Sequence, residues 1–96
     1  MERDQVLHIL ARFRARRQDE FGIVRLGVFG SVARDRATEA SDVDVVVELE
    51  HPDLLVLVGV KQELEELLRV PTDVIRYREE MNPYLKRRID EEAVYV

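Results

Sequence analysis

Two aspartates separated by a single valine, Asp42-Val43-Asp44, are the side chains in this sequence best suited to chemistry, and Gly30-Ser31 precedes them by a ten-residue spacer. The valines at 43, 45 and 47 mark a strand over 43–49. Side chains alternate across a strand, so Asp42 and Asp44 share one face while the valines make a core face on the other. The two carboxylates are then roughly 6–7 Å apart at Cα, close enough for their oxygens to converge on one hard cation. Aspartate is depleted in strands, and neighbouring like charges are costly unless something neutralises them. The pair therefore points to a divalent metal. An isolated Asp-x-Asp has a plainer reading, in which Asp42 caps the loop after Ser41 and both acids are solvated.

Other residues bear on that choice. Asp73 stands at the start of a further β-rich stretch, opposite in parity to Val74, and an adjacent place in the sheet would bring it beside Asp42 and Asp44. Three carboxylates on neighbouring strands can hold two Mg²⁺ ions, which in two-metal sites lie about 3.5–4 Å apart. The alternative for Asp73 is a loop-end acid after Pro71-Thr72. Gly30 allows a backbone to approach a phosphate closely, and Ser31 at a helix start offers a hydroxyl and nearby N–H groups to an anion. Arg34 falls one turn later, on the side of Ser31 if that turn is helical, where it could pair with a phosphate oxygen. A helix cap followed by an exposed arginine would look the same.

The elements that must position these residues are legible from pattern. Val6, Ile9, Leu10 and Phe13 have helical spacing and predict an amphipathic helix over 3–18, whose arginine-rich end could contact a phosphate but is read in preference as complementing the helix dipole. Ile23–Phe29 reads as a strand stopping at Gly30-Ser31, and 32–41 as a short helical turn and a loop. Leu57, Val60, Leu64, Leu67 and Leu68 predict a helix over 54–69, with Leu54, Leu55 and Val58 making its first turns apolar nearly all round, as deep burial or a partner surface would require, burial being the preferred reading. Pro71 ends it, and Thr72–Tyr77 predicts a third strand. Asn82-Pro83 opens a helix to about Glu92, and Val94–Val96 adds a short last strand. Helices alternating with strands in this order make an α/β fold.

Composition sets limits. A chain of 96 residues supports one hydrophobic core, so residues 1–96 are read as a single domain. The net charge of −5 is uneven: residues 1–34 carry seven Arg against four acids, and residues 35–96 eight Lys and Arg against sixteen acids. The acidic remainder opposes a long nucleic acid, whereas a nucleotide held through a bound cation suits such a surface. The absence of cysteine excludes disulfides and thiolate sites. No apolar run is long enough to span a bilayer and the first residues lack a signal-peptide pattern, so the expected location is cytoplasmic.

The segment "GVFGSVARDRATEASDVDVVVEL", with its Gly30-Ser31-x10-Asp42-x-Asp44 pattern, resembles the signature of the DNA polymerase beta-like nucleotidyltransferases. The short length is similar to that of the minimal nucleotidyltransferase (MNT) group, the antitoxin partners of HEPN-domain toxins. The resemblance covers the chain, including Asp73 in "TDVIR", and implies the nucleotidyltransferase fold: an α/β (α+β) domain with a small mixed β-sheet packed against helices on one face. It implies Asp42, Asp44 and Asp73 as catalytic metal ligands, and Gly30, Ser31 and Arg34 as nucleotide-binding residues. The implied cofactors are two Mg²⁺ ions, with ATP as AMP donor. The implied partner is a HEPN toxin held in a hetero-oligomer, whose tyrosine receives the AMP. A glycine commonly follows the arginine in this group; here Asp35 stands in its place. Two alternatives remain at this stage, a non-catalytic antitoxin that only covers its toxin, and a transferase acting on a small-molecule hydroxyl.

Other motifs fail on spacing. An EF-hand would need glycine and glutamate where Val47 and Asp53 stand. His8 and His51 read as surface residues, Glu48 as a solvated acid at a strand end, and Tyr77, Tyr84 and Tyr95 as packing aromatics.

Overall fold

The computed structural model describes residues 2–36 and 42–96. Residues 37–41, including Ser41 of the expected loop, lie outside the described residues. Helix α1 is Arg3–Phe21, opened by a capping box in which Glu2 N–H donates to Gln5 Oε1 at 3.0 Å. It ends at Gly22, which takes the left-handed conformation at φ 66° and donates its N–H to the Gln18 carbonyl. Helix α1 thus runs a turn beyond the arginines. Its last turn holds no basic residue, and the expected dipole role of the arginine cluster is corrected. Those side chains tie elements together instead. Arg17 makes hydrogen bonds of 2.7–3.2 Å to the Glu63 carboxylate and pairs with Glu20. Arg14 donates to the carbonyls of Val24 and Val96.

Strand β1 is Ile23–Phe29, α2 the short helix Gly30–Ala33, and β2 is Val43–Leu49. Helix α3 is Leu54–Leu68, with Asp53 as N-cap accepting from the N–H of Leu55 at 2.9 Å and of Val56 at 3.3 Å. Strand β3 is Thr72–Arg76, α4 is Pro83–Glu92 and β4 is Val94–Tyr95. Helix α4 starts as expected, with Asn82 Oδ1 accepting from Tyr84 and Leu85 and Pro83 in the first turn.

The sheet order is β3-β2-β1-β4, with β1 antiparallel to both β2 and β4, and β2 parallel to β3. This is a mixed sheet in which α3 forms the crossover between parallel strands. One face carries the main core. Val6, Leu10 and Phe13 of α1 meet Val45 and Val47 of β2 and Val60, Leu64 and Leu68 of α3. The other face carries Asp44 and, among the described residues, a smaller buried cluster of Phe29, Val46 and Ile89, where α4 packs. In β1 the register slips between Ile23 and Arg25, so that Ile23, Leu26 and Val28 all join the main core despite their mixed parity.

Burial of Leu54, Leu55 and Val58 is contradicted: they are 74%, 82% and 44% exposed. The buried stripe of α3 is set by Val60, Leu64 and Leu68, and a rotation of 100° per residue puts Leu55 and Val58 away from that stripe, while Leu54 is the first residue of the helix and is exposed there. Tyr84 is likewise exposed rather than packed. Tyr77 and Tyr95 do pack, each beneath the Arg25 guanidinium.

Candidate active site

The register of three strands assembles the acidic centre. Asp44 of β2 is level with Phe29, the last residue of β1, on one side and with Asp73 of β3 on the other. Asp42 lies one step before β2 and is exposed, Asp44 is half-buried, and Asp73 is exposed. Asp44 and Asp73 are therefore neighbours on one sheet face, with Asp42 at the approach. Burial and then Asp73 push the Asp44 carboxyl above its usual range, Asp42 adds to this, and Arg88 and Arg34 oppose it.

Gly30 follows Phe29 directly, so the end of β1 delivers it to Asp44. Its φ is 76°, and a Cβ at this position would collide with Asp44 Oδ2. Glycine is thus required twice, for the left-handed turn and for the carboxylate beside it. Ser31 is the second residue of α2 and is partly buried, and Arg34 caps the helix with its N–H on the Gly30 carbonyl at 3.1 Å. Asp35 is also left-handed, at φ 58°, a conformation in which glycine is at ease and aspartate is strained.

Three functional candidates were missed from sequence. Lys61 of α3 and Arg88 of α4 share a cleft of about 290 Å³ with Asp44 and Asp73, floored by Phe29 and Ile75. Glu92, at the end of α4, accepts from Gly30 N–H at 3.2 Å and Arg34 Nη1 at 2.9 Å, with Arg88 Nη2 at 3.7 Å. The signal existed in the spacing of α4. Leu85, Arg88, Ile89 and Glu92 follow the i, i+3, i+4, i+7 rule, so the face that buries Ile89 also turns Arg88 and Glu92 inward. Glu48 is paired with Arg25, with Nε to Oε1 at 2.7 Å, and points to no role in the site.

The donor chemistry suits a hard divalent cation: carboxylate oxygens on adjacent strands, one of them half-buried beside a like charge. Among the described residues, no three His, Asp or Glu side chains converge into a ready-made cation cage. The fit rests on the Asp44–Asp73 pair, with Asp42 close enough to act on the Asp44 charge.

The sequence pattern of the nucleotidyltransferase domain matches residues 10–96. The chain belongs to the nucleotidyltransferase domain family. Within it, this nucleotidyltransferase is 32% identical over 94 residues to the protein adenylyltransferase MntA of Thermococcus cleftensis, covering 97% of this chain and 94% of that one. It also matches a solved minimal nucleotidyltransferase at 35% identity and a TM-score of 0.70, covering 98% and 95% of the two chains. One chain of a solved complex between a tri-AMPylated Shewanella oneidensis HEPN toxin and an MNT antitoxin shares the fold at a TM-score of 0.63 and 16% identity, over 97% of this chain and 66% of that one. The nucleotidyltransferase fold expected from Gly30-Ser31-x10-Asp42-x-Asp44 is the fold of this protein, with its two long helices on one face of a mixed sheet. No described helix is long and apolar enough to cross a membrane.

Proposed function

We propose that this nucleotidyltransferase transfers AMP from ATP to a tyrosine hydroxyl of a HEPN-domain toxin, and so acts in the cytoplasm as the antitoxin of that partner. The observation that carries the reading is the matched position of Asp44 and Asp73 beside the Gly30-Ser31 turn. The adenylyltransferase name of the Thermococcus relative supports AMP as the group transferred. The AMPylated toxin bound to a protein of the same fold supports the partner.

In this reading the acceptor oxygen bonds to the α-phosphorus, the bond from that phosphorus to the β-phosphate oxygen breaks, and pyrophosphate leaves in line. The hydroxyl proton passes to Asp73, the more accessible acid of the pair. Asp42, Asp44 and Asp73 are the residues that would hold Mg²⁺, which when bound neutralises the charge of the attacking and leaving oxygens. Gly30, Ser31 and Arg34 take the triphosphate, and Lys61 and Arg88 add positive charge to the same cleft.

The test incubates the protein with ATP, Mg²⁺ and a cognate HEPN protein and looks by intact mass spectrometry for added AMP. The expected adduct disappears with Asp42→Ala or Asp44→Ala. Toxin with no adduct from the wild-type protein sinks the reading.

One observation favours a second reading, a non-catalytic antitoxin: Glu92 already occupies two of the donors expected for the triphosphate. Full toxin control by Asp42→Ala and Asp44→Ala would decide for it.

A further inference from the structure

The N–H of Gly30 carries one proton, and that proton is directed to Glu92 Oε2. The nearest guanidinium nitrogen of Arg34 is directed to the other oxygen of the same carboxylate, and Arg88 lies beyond hydrogen-bond range on the third side. A backbone N–H at a left-handed glycine and two guanidinium groups form the donor set that a phosphate takes, and a carboxylate satisfies it because it too presents paired anionic oxygens. We propose that Glu92 is an internal stand-in for a nucleotide phosphate: it holds these donors in the free protein and sets nucleotide affinity by competing for them. This rests on the nucleotide-binding reading above.

The geometry favours competition over simple support of Arg34. A ligand oxygen and Glu92 cannot both receive the single Gly30 proton, so one must leave. Glu92 has somewhere to go, since its side chain is 22% exposed while its backbone is held between buried Ile89 and strand β4. Release is therefore a side-chain rotation into water, with α4 staying in place. In a site that already sets Asp44 beside Asp73, a further acid on the phosphate donors raises the barrier to any anion arriving without its cation.

The experiment measures the Kd of ATP with Mg²⁺, and of inorganic triphosphate with Mg²⁺, by calorimetry on the wild-type protein, Glu92→Gln and Glu92→Ala. Glu92→Ala is expected to bind both ligands roughly tenfold more tightly, and Glu92→Gln, which keeps an acceptor for Gly30 and loses the charge, by a smaller factor. If the alanine protein does not fold, the near-isosteric glutamine protein decides alone. Unchanged or weaker binding by a folded variant, with the wild type binding ATP, overturns the proposal and leaves the nucleotidyltransferase reading standing. A gain for ATP but none for inorganic triphosphate also overturns it, because the competition concerns phosphate. Failure of all three proteins to bind either ligand overturns both.

Discussion

Asp44 and Asp73 occupy matched positions on parallel neighbours β2 and β3, which sets two carboxylates side by side on the sheet face opposite the main core. Burial and this neighbour together hold the Asp44 carboxyl above its ordinary range. A raised carboxyl contributes stability that is present below the unfolded-state value and is lost as pH rises through the higher folded-state value. Asp44→Asn escapes that loss. In buffer with chelator, the asparagine protein should melt a few degrees above wild type at pH 7, with the gap closing as pH falls toward 4. A lower melting temperature for Asp44→Asn at pH 7 would show that the charge is well accommodated.

The same strain predicts a response to cations. Millimolar Mg²⁺ or Mn²⁺ should raise the melting temperature of the wild-type protein, and Asp44→Asn should show little of that rise, because a ligand binding only the folded state stabilises by mass action. Equal shifts for both proteins would argue against a cation at this pair.

Gly30→Ala meets two obstacles. The left-handed backbone costs about 1–2 kcal/mol for a residue with a Cβ, and that Cβ must displace the Asp44 carboxylate. Denaturant unfolding should show at least that loss, and AMP transfer should vanish even in the folded fraction. Retained activity would mean that the Asp44 position is not critical.

Asp35→Gly should act in the opposite direction. Relief of the φ 58° backbone, partly offset by the extra freedom of glycine in the unfolded chain, amounts to about 0.5 kcal/mol of added stability. Removing an acid beside Arg34 should also tighten ATP binding in the calorimeter.

Leu55→Asp should leave the melting temperature close to wild type, a change within about 0.5 kcal/mol, because Leu55 is 82% exposed in the first turn of α3. A drop of many degrees would show that this face is covered in solution.

The site's residue types were legible in sequence where local rules act, and its completion was not. Alternation along β2 set Asp44 on the face opposite Val43, Val45 and Val47, and the Gly30-Ser31 stop to β1 located the turn, since both depend on neighbours along the chain. That Asp73 stands level with Asp44 depends on the register of a parallel pair joined through α3, which no short pattern encodes. Lys61, Arg88 and Glu92 went unnoticed because charged residues on helices are usually solvated, and only the seating of α4 on Phe29 and Val46 turns two of them inward. The error at Leu54, Leu55 and Val58 has the same origin: hydropathy named the residues, but the sheet chose which stripe of α3 to bury.

The crossover through α3 also orders events in time. Strands β1 and β2 can pair as a local antiparallel unit, while β3 can join only after a long intervening segment has folded back over the sheet. Until that closure, Asp44 has no acidic neighbour on β3, and partly folded chains are spared the repulsion altogether. Detaching β3 alone would part Asp44 from Asp73 and leave the β1–β2 pair standing, so nascent or thermally loosened molecules should lose the acidic pair before they lose their shape.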